Sequence, residues 1–129
     1  MKSKIMYIEL KTGYSDNGPA WIGTVEFSKS GKTVYFDNKA VKKMGTPSGG
    51  GNHYDIETGD AYWVSGIKKN GADRHWAGGG KIMIDRKSID EYLTLVDFNS
   101  IEEKYYKIID FEPTDKERFK ELENSEIEL

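Results

Sequence analysis

The chain contains no cysteine. Disulfide scaffolds, thiolate zinc sites and thiol nucleophiles are therefore excluded within it. Histidine is nearly as scarce, with two residues, His53 and His75. Neither stands in a His-x-Glu or His-Glu-x-x-His arrangement, so no metal site is expected. No apolar run approaches the roughly 18–20 residues that cross a bilayer as a helix. The opening stretch around Ile5-Met6-Tyr7-Ile8 is flanked by lysines and is too short for a signal peptide, so the expectation is a cytoplasmic protein with no membrane partner. A phosphate-binding loop is also missing. Gly78-Gly79-Gly80-Lys81 lacks the upstream glycine at the required spacing, and Ile82 stands where Ser or Thr would hold magnesium. No cofactor is expected.

What the chain does have is aromatic weight. Among 129 residues there are three Trp, eight Tyr and five Phe, against a mean hydropathy of -0.71. This composition suits one globular domain spanning 1–129 with a proper core. Charge is unevenly spread. Residues 1–90 carry 14 Lys/Arg and 10 Asp/Glu, whereas residues 91–129 carry 5 and 12. A mildly basic body with an acidic end could bind anions, or hold its own end by attraction.

The pattern predicts an α+β, mainly β fold. A β-rich body covers about 4–84, a helical, acidic part about 85–124, and a frayed tail 125–129. Strands are expected over 4–12, 20–28 and 32–37, with a continuation over 39–44. Ser28-Lys29-Ser30-Gly31 and Asp37-Asn38 are turns between them. Residues 45–52 read as a flexible glycine-rich loop, as do 78–80. After the strand Lys81–Ile84, two capping boxes open helices: Ser88 with Glu91, and Thr114 with Glu117. Ile89, Tyr92, Leu93 and Val96 form the first apolar stripe, and Phe119 and Leu122 point inward from the second. Tyr105–Phe111 is a further strand. Together these suggest a small curved antiparallel sheet, or a partly open SH3-like barrel, with two C-terminal helices.

Residues 53–77 read as a three-stranded antiparallel meander. Thr58-Gly59 and Asn70-Gly71 are two-residue hairpin signals. This register pairs Tyr54 with Trp63 and Asp55 with Tyr62. It places Tyr54, Ile56, Ala61, Trp63, Ser65, Ile67, Arg74 and Trp76 on one mainly apolar face. His53, Asp55, Tyr62, Val64, Lys68, Asp73 and His75 share the other, charged face, where both histidines would be solvated and well separated.

Arg74 beside Trp63 and Trp76 suits cation–π stacking, either as a clamp on the core edge or as an anion-binding group. Tyr54 shares that face. Trp21 at a strand start is either core or the wall of a groove for a polyproline segment. These five residues are the candidate binding set. Lys68, Lys69, Arg74, Lys81, Arg86 and Lys87 with nearby aromatics would suit single-stranded nucleic acid. The interleaved carboxylates and a pI near 5.5 make that a lesser reading.

The stretch Glu57–Trp76 (ETGDAYWVSGIKKNGADRHW) resembles a run in small stand-alone bacterial proteins to which no catalytic residues are assigned, and the likeness extends from about Tyr7 to Leu122. Some chains of this look bear a name borrowed from deoxyxylulose-phosphate synthase. This chain is too short for thiamine-diphosphate chemistry and shows no diphosphate–metal motif.

The favoured expectation is a non-catalytic binding module for an unidentified protein or small ligand, using an aromatic sheet face or edge. A metal-independent hydrolase or ribonuclease is the first alternative, with His53 or His75 as base and Lys68 or Arg74 stabilising negative charge. A structural protein that forms homo-oligomers through a free sheet edge is the second.

Overall fold

A computed structural model describes residues 3–11, 19–69 and 81–125. The strands are β1 (Ser3–Leu10), β2 (Ala20–Phe27), β3 (Thr33–Phe36), β4 (Lys39–Ser48), β5 (Gly51–Asp55), β6 (Ala61–Gly66), β7 (Ile82–Asp85) and β8 (Tyr106–Ile109). The helices are α1 (Ile89–Val96), entered through a 3-10 turn at Arg86–Ser88, and α2 (Lys116–Ser125). All eight strands join one sheet in the order β1-β6-β5-β4-β3-β2-β7-β8. Since β1 also pairs with β2, the six strands β1 to β6 return on themselves.

The mainly β body, its curvature and the two helices are as expected. The sheet is not wholly antiparallel, because β7 pairs with β2 and β8 with β7 in parallel. The helical segment α1 between β7 and β8 makes that parallel return geometrically accessible.

Local chemistry explains the turns. Gly31 takes φ 77° at the β2–β3 turn, and Asp37 and Asn38 both take positive φ between β3 and β4. Two successive left-handed residues match the twist of a tight hairpin, and Asn and Asp tolerate that region. Residues 45–52, expected as a loop, are instead the end of β4 and the start of β5. Gly49 and Gly50, with φ 63° and 82°, form their turn, and Ser48 pairs with Gly51. Two adjacent glycines meet the demand of a tight hairpin without steric cost.

Three apolar clusters follow from the curvature. The inner one holds Ile8, Trp21, Val25, Val34, Phe36, Val41, Tyr62 and Val64. On the outer face of β1, β2 and β7, α1 buries Tyr92 and Val96 against Ile5, Tyr7, Ile22 and Ile84. On the outer face of β3 and β4, α2 seats the fully buried Phe119 against Tyr35 and Ala40, while Leu122 is 39% exposed.

The expected capping boxes are used differently. Ser88 makes no side-chain cap on α1. Its Oγ accepts the Thr24 N–H at 3.2 Å instead. The reason lies in β2, whose edge away from β1 changes partner. Residues 20–22 pair with β7, and Glu26 and Phe27 pair with β3. Thr24 falls between these partners, so its N–H needs a side-chain acceptor. Thr114 Oγ1 likewise accepts the Asn38 N–H at 3.0 Å.

The β3–β4 turn is a clasp for the C-terminal segment. Asp37 Oδ1 accepts the Glu112 N–H, Asn38 Oδ1 accepts the Asp115 N–H, and Arg118 donates to the Asn38 carbonyl. Arg118 also pairs with Glu57, and Lys116 with Glu26. At these contacts cations of the acidic end meet carboxylates of the basic body, while Arg86 and Asp110, 3.1 Å apart, pair with the expected polarity.

Gly23 sits where β2 changes partner. A Cβ there would lie 2.3 Å from Phe111 Cε2, inside the ring that packs 6.2 Å from Phe36. Gly23→Ala should therefore destabilise the fold by about 1–3 kcal/mol in denaturant titrations, as overpacked sites do. In a Phe111→Ala background the same change should cost much less. Gly23→Ala matching wild type would show that Phe111 does not occupy this position.

Candidate functional site

The hairpin formed by β5 and β6 carries most of the candidate residues. Its register differs from the expected one by two residues. Tyr54 pairs with Ala61 and His53 with Tyr62. Asp55 sets this register. Its N–H donates to the Asp60 carbonyl, closing a loop of Ile56, Glu57, Thr58 and Gly59. The Asp55 carboxylate accepts the Glu57 and Thr58 N–H groups at 2.8 and 3.2 Å. The loop is thus held by the preceding Asp side chain and closed by Gly59 at φ 81°.

A shift of two residues preserves the faces, so the expected partition survives. Its orientation is inverted. Tyr62 and Val64 enter the inner core, with His53 and Asp55 on their side, while Trp63 is 40% exposed. The neighbouring strands decide this outcome. Val64 lies opposite Ile8, Tyr62 opposite Leu10, and Asp55 opposite Val41, all inner-core positions.

His53 is therefore not the solvated histidine expected from the alternation. It is 8% exposed. Asn52 explains how the imidazole is accommodated. The Asn52 side chain stands in for a strand peptide, accepting the Val64 N–H at Oδ1 and donating from Nδ2 to the Val64 carbonyl, both at 2.8 Å. With Oδ1 fixed as acceptor, His53 Nδ1, 2.9 Å away, must be the donor. Burial, aided by the nearby Lys43 ammonium, lowers the His53 pKa to about 4. The ring is neutral at pH 7 and is a weak base. Next to it, burial and the Asp55 and Asp60 charges raise the Tyr62 hydroxyl to about 12.

The other candidates separate. Trp21 is 6% exposed and packs its ring 5.5 Å from Phe36 and 6.1 Å from Tyr62. It is a core residue and offers no groove wall. Lys39 Nζ stands 5.3 Å from its ring. Lys68 is exposed beyond the end of β6. Arg74, His75 and Trp76, with the third strand of the expected meander, lie outside the described residues.

Trp63 and Tyr54 do come together on the outer face. Tyr54 opposes Ala61, two residues from Trp63, so the two rings occupy diagonal positions with Cα atoms about 7–8 Å apart. Tyr54 is half-buried. Lys42 opposes Tyr54 on β4, and Lys11 bonds through its N–H to the Ala61 carbonyl. Beneath this strip the alternation Tyr7-x-Glu9-x-Lys11 sets three polar side chains on one face of β1. Glu9 lies opposite Trp63 and is 2% exposed. Its Oε1 accepts the Tyr7 hydroxyl, and its Oε2 pairs with Lys11 at 3.0 Å. The sequence reading missed this carboxylate; period-2 spacing of three polar residues inside an apolar strand was the available signal. The result is an aromatic strip bordered by lysines, with the buried Glu9 carboxylate paired to Lys11 beside it. Among the described residues no group of three or more His, Asp or Glu could hold a metal ion.

The His53 environment makes a pH prediction. Its folded pKa lies below the unfolded 6.5, so the native state resists protonation. The stabilisation is fully present above pH 6.5 and is lost as the pH falls towards 4. Wild type should lose more stability across that window than His53→Gln, measured by urea titrations at each pH. Parallel pH profiles would contradict the burial of the ring. Comparison with protein-family models, curated proteins and solved structures finds no match for this chain.

Proposed function

We propose that the chain is a non-catalytic, cytoplasmic binding module, and that the Trp63–Tyr54 strip on the outer sheet face receives an extended segment of a protein partner. The observation that carries the reading is the exposure of Trp63 in a sheet whose other described tryptophan, Trp21, is buried. Leaving an indole in water forgoes roughly 2–3 kcal/mol of burial, which a binding surface recovers when occupied. The ring of β1 to β6 supports a small barrel of SH3-like kind as the carrier.

A catalytic role for His53 is not supported, because the ring is a weak base, buried, and engaged at Nδ1.

The first test separates function from structure. Trp63→Ser should change the unfolding free energy by less than about 1 kcal/mol, whereas Trp21→Ala should cost about 3–5 kcal/mol. Binding is tested by titrating labelled protein with a proline-rich decapeptide, which offers a flat, pre-ordered apolar surface. Saturable NMR shifts at the Trp63 indole and the Tyr54 amide, abolished by Trp63→Ser, are expected. Shifts at the same atoms from oligo-dT alone, or shifts that survive the substitution, would overturn the reading.

A further inference from the structure

Away from Trp63, the end of α1 and the start of β8 enclose an open cavity of about 520 Å³. Its walls include Phe98, Tyr105 and Tyr106, with Asp97 and Glu102 among the lining residues. This volume is in the range of small-ligand sites, which run from about 300 to 1,000 Å³. A shallower depression shares Asp97 and Phe98 and continues along α1 past Asp90 and Leu93.

The walls combine π-faces with negative charge. Phe98 is 43% exposed and Tyr105 36% exposed, so large rings are left at the opening. Lys104 Nζ stands 5.5 Å from the Tyr105 ring centroid, so a bound ammonium takes this ring in exchange for Lys104. The base of the site is built, not loose: Tyr106 and Tyr92 share a hydroxyl hydrogen bond of 2.7 Å, and the Tyr105 and Tyr106 N–H groups both donate to the Glu102 carbonyl.

Electrostatics act in the same direction. Helix α1 ends here at Asp97, which takes φ 57° and donates its N–H to the Leu93 carbonyl. No basic residue occupies the last turn, so the partial negative charge of the helix end is not offset by its own side chains. Across residues 89–112 there are seven carboxylates and two lysines. An aromatic-walled cavity with carboxylates and a helix C-terminus attracts an organic cation and disfavours an anion.

We propose that this cavity binds an alkylammonium group, seated against Tyr105 and Phe98 with Asp97 and Glu102 as counter-charges. The group could come from a free polyamine or from a lysine side chain of a basic peptide; the recognising chemistry is the same. The site is independent of the Trp63 strip, so either can fail without the other.

The test uses the full chain, uniformly labelled, with spermidine in one arm and a short lysine-rich peptide in another. Fully acetylated spermidine is the uncharged control. Saturable shifts at the Asn99, Ser100 and Tyr105 amides are expected, and whichever charged probe binds more tightly names the source. The double variant Asp97→Asn with Glu102→Gln should weaken binding about tenfold or more, since two counter-charges are removed. Asparagine keeps the left-handed backbone at 97, so the fold should persist. Tyr105→Leu, which retains bulk and removes the π-face, should weaken binding about fivefold. Equal binding of the acetylated control, unchanged affinity in the double variant, or shifts that avoid residues 97–106 would each overturn the proposal.

Discussion

The strand β1 has no free edge. It pairs with β2 from Ser3 to Glu9 and with β6 from Met6 to Leu10. That double pairing turns a curved sheet into a ring and gives six strands an inside. Once the inside exists, the placement of nearly every large side chain follows from alternation along each strand. Ile8 and Leu10 point in, and Tyr7 and Glu9 point out. Because α1 covers part of the outside, the first half of β2 is buried on both faces, which is why it opens as Ala-Trp-Ile, with polar Thr24 and Glu26 only further on.

Closure also leaves one awkward place. The far edge of β2 is divided between β7 and β3, and the chain fills the division with side chains from distant segments. Gly23 makes room for Phe111, Ser88 takes the Thr24 N–H, and Asp85 Oδ1 accepts the Phe111 N–H at 3.1 Å. The C-terminal segment is then carried to the Asp37-Asn38 turn, where backbone and Arg118 contacts fix α2. A small chain without disulfides thus ties its last third to its first third by specific polar contacts around an aromatic plug.

Much of this architecture was legible because its signals are local. Gly31, Asp37-Asn38, the α1 stripe of Tyr92 and Val96, and the strand before α1 all follow from neighbours within a few residues. The failures were non-local. The hairpin of β5 and β6 divides cleanly into two faces, but which face is buried depends on Ile8, Leu10 and Val41, far away in sequence. A buried His53 and Asp55 look unfavourable until Asn52 and the loop N–H groups are seen to satisfy them. The two-residue shift in register came from the same Asp55 carboxylate. At the candidate site, Trp63 and Tyr54 were visible as an aromatic pair, and their exposure was not. Glu9 and its partners were overlooked because they interrupt an otherwise apolar strand. The cavity beside Tyr105 arises only from the packing of α1 against β8, which no spacing within either element reveals.

Amide hydrogen exchange along β1 tests ring closure most directly. The Leu10 N–H points towards β2 and the Lys11 N–H towards β6, so the Met6 and Ile8 amides face β2 while those of Tyr7 and Glu9 face β6. In a closed ring all four are hydrogen-bonded and should exchange slowly, at rates close to one another and governed by global unfolding. Rapid exchange at Tyr7 and Glu9, with Met6 and Ile8 still protected, would mean that β1 is an edge strand and that the sheet is open.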